Sequence, residues 1–358
     1  MNSSPIGDSY SKYVKWLLGL LLIIFLIRLM YPRPILNKPI TFSNPIYSNF
    51  DPYLVLPDRG PDLKSLPDLS SISWPYSTRP NFTRRSTGKY FDLKLSQGQY
   101  NSFKRLLNEF QRVMISLNLQ NQWFLSAGSL IGSMRHHDMI PWDDDADVCV
   151  DVQYRKLIQS ALSNRSSEFA IASQVVRDKL FFKPLDESAD VNSNTIGSFR
   201  IHGYTWSWPF LDILYFQSTG SHMAKEITWE PIYFDLTKIF PLTYRPFGGH
   251  WYPAPRSPIH LLQTYYTNHD CVSAYYSHAL EHSIASKSVE CERLLNKHPF
   301  VVRCPSPAAS NRSDGLQLCD EYLVDGNGKP HHKIQTLLPP DEINSLKFTA
   351  LNVKFVCY

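Results

Sequence analysis

The chain has 358 residues, 43% of them hydrophobic and 13% aromatic, with 36 lysines and arginines against 32 aspartates and glutamates. That length and apolar content can bury one large core or two modest ones, and they exclude a disordered chain. The formal charge of +4 is small and no basic run interleaves with aromatic residues, so a nucleic-acid partner is excluded as well.

Residues 16–27 are apolar or small without interruption, with Lys12 and Lys15 before them and Arg28 after. A bilayer takes about 17–20 such residues, a length reached when 14–31 is counted and the charges at its ends snorkel to the interfaces. No small-x-small site follows, so the reading is an uncleaved signal anchor over 14–31 rather than a cleaved signal peptide. The positive flank then makes 1–13 a cytoplasmic tail and leaves the rest in the lumen of the Golgi or ER, a single-pass type II arrangement. Residues 32–95 carry Pro34, Pro39, Pro45, Pro52, Pro57, Pro61 and Pro67 and read as an extended stem. Glycosylation sequons at Asn81, Asn164 and Asn311 agree with a luminal side.

Phe103, Leu106, Leu107, Phe110, Val113, Met114 and Leu117 recur at helical spacing and predict an amphipathic helix over 96–118, capped by Ser96. It opens a domain expected over 96–267. A short strand at 123–125 leads into residues 126–151, SAGSLIGSMRHHDMIPWDDDADVCVD, which hold Asp143, Asp144, Asp145, Asp147 and Asp151. In an extended strand Asp145 and Asp147 share a face while Ala146 and Val148 pack behind them. Crowded carboxylates raise one another's proton affinity unless a cation lies between them, and hard oxygen ligands suit Mg²⁺ or Mn²⁺. Gly128-Ser129 open a helical turn whose backbone N–H groups favour phosphate, and Arg135 would add a bidentate contact. Trp142 offers either a ring to stack on a base or a wedge against the core. Asp143 and Asp144 precede the strand, and one of them is read as orienting water, Arg135 or a backbone N–H if it is not a ligand, while His136 and His137 are read as facing the nucleotide or capping the turn beside Asp138.

Downstream, the pattern predicts a helix over 154–162 and strands at 169–176, 180–182 and 198–201, with a polar loop at 186–194. In the apolar run 208–216 Asp212 stands alone. A buried carboxylate without a partner is costly, so Asp212 is expected to meet a cation, either a metal or an arginine such as Arg200. Gly248-Gly249 read as a hairpin turn, with His250 and Trp251 as candidate substrate contacts, and Leu261, Leu262, Tyr265 and Tyr266 as the buried face of a helix. Residues 268–358 are expected to form a C-terminal extension with a helix over 279–295, a loop over 305–315 and a strand over 351–356. The extension holds five of the six cysteines, enough for one or two disulfides of unreadable connectivity, while Cys149 reads as a packed thiol. Its scattered histidines lack the spacing of a zinc site.

Gly128-Ser129-Leu130-Ile131-Gly132 with Arg135-His136, followed by Ile140-Pro141-Trp142-Asp143-Asp144-Asp145-Ala146-Asp147, resemble the signature of the LicD family, which includes fukutin and fukutin-related protein. The resemblance covers about 120–212 and, more loosely, reaches about 266. It implies an α/β (α+β) nucleotidyltransferase-like fold, a mixed sheet flanked by helices. By resemblance, Asp145, Asp147 and Asp212 are the catalytic residues and ligands of Mg²⁺ (or Mn²⁺), with Asp212 also a base for an acceptor hydroxyl. Gly128, Ser129, Arg135, Trp142 and Asp143 form the nucleotide and phosphate site. The implied reaction moves a phospho-alcohol, such as phosphocholine or an alditol phosphate, from a CDP-linked donor to a glycan or glycoprotein, releasing cytidine monophosphate. Competing readings are a glycosyltransferase using a nucleotide sugar on an Asp-x-Asp strand, and a catalytically silent glycan-binding or scaffold protein. The donor alcohol, the acceptor and the oligomeric state, including a homo-oligomer, stay open.

Overall fold

The helix expected over 96–118 follows directly from its apolar spacing. The computed structural model describes residues 66–75, 79, 90–165, 168–183, 198–220, 222–266, 270–307, 314–345 and 355–357. Helix α1 (Gln97–Ser116) begins at a full capping box between Ser96 and Gln99, and its stripe of Phe103, Leu106, Phe110 and Val113 is wholly buried. Strand β1 (Trp123–Leu125) pairs antiparallel with β2 (Ala146–Asp151), and helix α2 (Ala127–His136) lies between them in sequence. Helix α3 (Arg155–Arg165) leads to the hairpin of β3 (Phe169–Ser173) and β4 (Arg177–Phe182). Strand β5 (Phe210–Ser218) then enters between β2 and β4.

The sheet order is β1-β2-β5-β4-β3, extended from the end of β5 by β6 (Met223–Glu226) and β7 (Tyr233–Asp235). Only β2 and β5 run parallel in it. Both are buried on both faces over most of their length, which is why they read as nearly continuous apolar runs. The two faces differ. On one, Asp178 lies opposite Ile213 and accepts hydrogen bonds from Arg155 (2.7 Å) and the Tyr215 hydroxyl (2.8 Å), which docks α3. On the other lie Asp147 and Asp212.

The second half of the molecule opens with a hairpin, β8 (Thr243–Phe247) and β9 (His250–Ala254). Its turn residues Gly248 and Gly249 have φ of +58° and +86°, which the mirror-image tight turn requires. After helix α4 (Pro258–Tyr265) come β10 (Phe300–Pro305), β11 (Gln317–Val324) and β12 (Pro330–Leu338), an antiparallel sheet in that order. A buried clamp joins this sheet to the domain. Arg245 of β8 donates to both oxygens of Glu321 of β11 at 2.9 and 2.8 Å, and His137 Nε2 lies 3.0 Å from Glu321 Oε2. Arg245 also donates to the hydroxyl and carbonyl of Ser133 in α2. Burial alone would raise the Glu321 carboxyl, but Arg245 and His137 together outweigh it and bring it down to about 2.

Several expectations are corrected by these contacts. The described part of 268–358 falls in the same compact unit as the other described residues, and β11 supplies the carboxylate that Arg245 needs. The helix expected over 279–295 is absent because that segment buries no continuous stripe, with Leu280 54% exposed. Instead Tyr276–Ser277 pairs with His282–Ser283, Cys271–Val272 pairs with Ser288–Val289, and a disulfide joins Cys271 to Cys291. A second disulfide joins Cys304 to Cys357, and Cys149 is a buried thiol. Part of the expected stem is core: Leu69, Phe91 and Leu95 are buried, and the Trp251 indole donates to the Pro67 carbonyl at 2.8 Å. The anchor 14–31, the loop 186–194, most of the strand 351–356 and the sequons at Asn81 and Asn311 lie outside the described residues, whereas Asn164 is exposed on α3. Among the described residues no helix is long and apolar enough to cross a membrane.

The clamp makes a measurable demand. Glu321→Gln leaves the Arg245 charge buried without its partner and should lower stability by about 3–5 kcal/mol in urea unfolding at pH 7. Glu321 sits below the ordinary glutamate value of 4.5 in the fold, so its contribution is complete above about pH 4.5 and is lost as the pH falls towards 2. The variant should therefore lose less stability than the wild type across that interval. An unchanged unfolding midpoint at pH 7 would mean that the clamp does not hold the two halves together.

Candidate active site

The parallel register of β2 and β5 sets Asp147 directly beside Asp212, and the antiparallel register of β4 sets Lys179 on the other side of Asp212. Residues in register share a face, so acid, acid and base form one row across three strands. Arg177, two residues before Lys179, joins the same face. Lys179 donates to Asp212 Oδ1 at 2.9 Å and Arg177 to Asp212 Oδ2 at 3.0 Å. The cation expected for Asp212 is thus present as two side chains of β4, and Arg200 is not among them.

Asp143, Asp145 and Asp147 are less well compensated. His278, from the segment after α4, places Nδ1 3.1 Å from Asp144 Oδ1 and Nε2 3.2 Å from Asp145 Oδ2. Burial would lower His278, but Asp145 and then Asp144 push it up to about 10, so it bridges them as an imidazolium. Among the described residues neither Asp143 nor Asp147 makes a salt bridge. Burial holds both carboxyls well above the usual range, with the charge of Asp145 adding to it, and Asp145 is itself raised by burial. These groups line a cavity of about 1040 Å³ together with Arg177, Lys179 and Asp212. Oxygen or nitrogen atoms of Asp145, Asp212 and His278 all lie within 4.8 Å of one another. The uncompensated oxygen donors fit a hard divalent cation.

The helix start is built differently from the expectation. Gly128 lines the cavity, and a Cβ there would lie 2.9 Å from Asp143 Oδ2 and 3.6 Å from Asp147 Oδ2. Its missing side chain makes room for carboxylates of this chain. The Ser129 hydroxyl accepts the Asp147 backbone N–H at 2.8 Å and so fixes β2 against α2. Arg135 does line the cavity, but it is buried, donates to the Asp270 carbonyl at 3.2 Å, and is lowered by burial to about 10.

Trp142 lines the cavity and also wedges against the core. Its indole donates to the Val272 carbonyl at 3.0 Å, and it packs edge-on against Phe91 and beside His298. His136 and His137 also face inward, towards the Pro299 carbonyl and Glu321, because His137 ends α2 in the left-handed region at φ +55°. His250 and Trp251 lie on the β8–β9 hairpin and do not line the cavity. The residues that sequence reasoning missed are Arg177, Lys179, His278 and Glu281. The alternation Arg177-x-Lys179 ahead of an apolar run was a usable signal, since it predicts two cations on one face; His278 carried none.

Asp143→Asn or Asp147→Asn removes a carboxylate whose proton affinity is raised by the fold, so its charge costs stability at neutral pH. Without divalent cations either variant should gain about 0.5–2 kcal/mol. Asp212→Asn should lose about 3 kcal/mol because Lys179 and Arg177 lose their partner. Thermal unfolding in a chelating buffer checks all three, and destabilisation by the first two would mean that those groups are structural.

Residues 120–257 match the LicD/FKTN/FKRP nucleotidyltransferase domain, while no curated protein sequence matches the chain. The matched span contains the Gly-Ser helix start, both strands of the acidic row and the β4 cations, and stops short of His278. Residues 120–257 thus form a LicD-type nucleotidyltransferase domain.

Proposed function

We propose that the protein is a metal-dependent transferase that moves a phospho-alcohol from a CDP-linked donor to a hydroxyl of a glycan. The observation that carries this reading is the grouping of Asp143, Asp145, Asp147 and Asp212 with Arg177 and Lys179 on one cavity wall. A donor diphosphate needs such alternating charge, and the LicD family supports a transferase class of reaction. Asp145, Asp147 and Asp212 would hold Mg²⁺ (or Mn²⁺), which when bound supplies neutralisation of the diphosphate charge.

The chain's own groups do the rest. Arg177 and Lys179 bind the negative oxygens of the donor beside Asp212 and orient the phosphorus distal to cytidine. The acceptor hydroxyl forms the new phosphorus–oxygen bond, the bond to the bridging oxygen breaks, and cytidine monophosphate leaves with that electron pair. The hydroxyl proton passes to a cavity carboxylate. Because Asp212 is tied to two cations, this role falls to Asp143, a cavity carboxylate that makes no salt bridge among the described residues and whose proton affinity burial raises. Trp229 and Tyr275, 77% and 73% exposed, stand at the cavity and offer aromatic faces to an acceptor sugar ring. The disulfides Cys271–Cys291 and Cys304–Cys357 fit an oxidising compartment, and with the apolar run 16–27 they support a Golgi or ER membrane anchor with a luminal domain.

The test is release of cytidine monophosphate by the full-length chain from a panel of CDP-choline, CDP-ribitol and CDP-glycerol, with and without Mg²⁺. Activity should vanish with chelator and fall by about 10²–10³-fold or more in Asp145→Asn and Asp147→Asn. Gly128→Ala, which displaces the Asp143 carboxylate, should fold normally and lose at least about tenfold in kcat. Turnover of UDP-linked sugars instead would favour the glycosyltransferase reading, and full activity in Asp145→Asn would overturn the assignment.

A further inference from the structure

We infer that His278, which lies beyond the matched domain, is an additional ligand of the divalent cation, oriented by Asp144, and that it shifts the site towards Mn²⁺ relative to Mg²⁺. The inference rests on the reading of Asp145 and Asp212 as metal ligands, and it adds to that set a nitrogen from a different part of the chain.

Three features of the imidazole carry it. Its Nε2 faces Asp145 Oδ2 at 3.2 Å, and a ring nitrogen of His278 lies within 4.8 Å of carboxylate oxygens of Asp145 and Asp212, so the residue belongs to the only group of potential metal donors found among the described residues. Its Nδ1 is held by Asp144 Oδ1 at 3.1 Å, the carboxylate–imidazole arrangement that fixes a ligating histidine's tautomer and leaves Nε2 for the metal. Asp144 is not a free carboxylate: its Oδ2 accepts from Ser277 Oγ (3.3 Å) and the Ala279 N–H (3.2 Å). The short pairing of Tyr276–Ser277 with His282–Ser283 thus carries the imidazole and buttresses the group that orients it. Cation binding replaces the Nε2 proton, which leaves to solvent. Carboxylate and water suit Mg²⁺ and Mn²⁺ alike, whereas an imidazole nitrogen favours the transition metal.

Electron spin-echo spectroscopy of Mn²⁺ bound to the full-length chain, without nucleotide, reads this directly. His278 is the one histidine that lines the cavity among the described residues, so a nitrogen coupling should appear that changes from a ¹⁴N to a ¹⁵N pattern when the chain is labelled with ¹⁵N-histidine. His278→Gln should abolish the coupling and weaken Mn²⁺ binding by about 10–100-fold, with a smaller loss for Mg²⁺. Asp144→Asn should keep the coupling and weaken Mn²⁺ by about tenfold. Bound Mn²⁺ without histidine coupling in the wild-type chain would overturn this inference and leave the metal reading standing, and failure to bind Mn²⁺ would overturn both. Coupling without transfer activity would support the ligand assignment while defeating the proposed reaction.

Discussion

Asp147 and Asp212 stand side by side across the single parallel pair of the main sheet, and the cost of holding two carboxylates there governs what surrounds them. Two unit charges about 4 Å apart repel by about 4 kcal/mol even at an effective dielectric of 20. The fold answers with Lys179 and Arg177 on the next strand, which neutralise Asp212 at 2.9 and 3.0 Å. It leaves Asp143 and Asp147 uncompensated. On the proposed function this imbalance is what a bound divalent cation would relieve.

Such stored repulsion requires a scaffold that does not relax. Two buried polar networks supply it, one on either side of the acidic row. On the far face of the sheet Asp178 is satisfied by Arg155, Gln159 and Tyr215, which locks α3 and β4 to β5. At the other end of α2, Arg245, Glu321, His137 and Ser133 form a clamp without exposed atoms on the central ion pair. Helix α2 is therefore fixed at both ends. Its start holds Asp147 through the Ser129 hydroxyl, and its last turn is gripped by the C-terminal sheet. A displacement of that sheet would be felt at the carboxylates, which explains why the C-terminal third cannot be treated as an appendage.

The same third contributes chemistry as well as support. His278 reaches Asp144 and Asp145, and Glu281 lies 3.5 Å from Lys179. Both residues sit outside the stretch that matches the family, so the matched domain by itself leaves part of the cavity wall unbuilt. Trp229 and Tyr275, which line the same cavity, are exposed.

The amino-acid order alone determined what depends on near neighbours. The α1 stripe with its Ser96 cap, the Gly248-Gly249 turn, the alternation that puts Asp145 and Asp147 on one face, and the burial of Asp212 all follow from local periodicity and the cost of an isolated buried charge. Tertiary structure decided which distant groups meet those residues. The cations at Asp212 are Arg177 and Lys179, selected by strand register; Trp142 turns inward because the Val272 carbonyl and Phe91 wait there; and Glu321 finds Arg245 across 76 positions of sequence. Spacing along the chain carries no information about such pairings. They are set by how sheets and helices pack, and a lone histidine or glutamate looks the same in sequence whether it meets a carboxylate, an arginine or water.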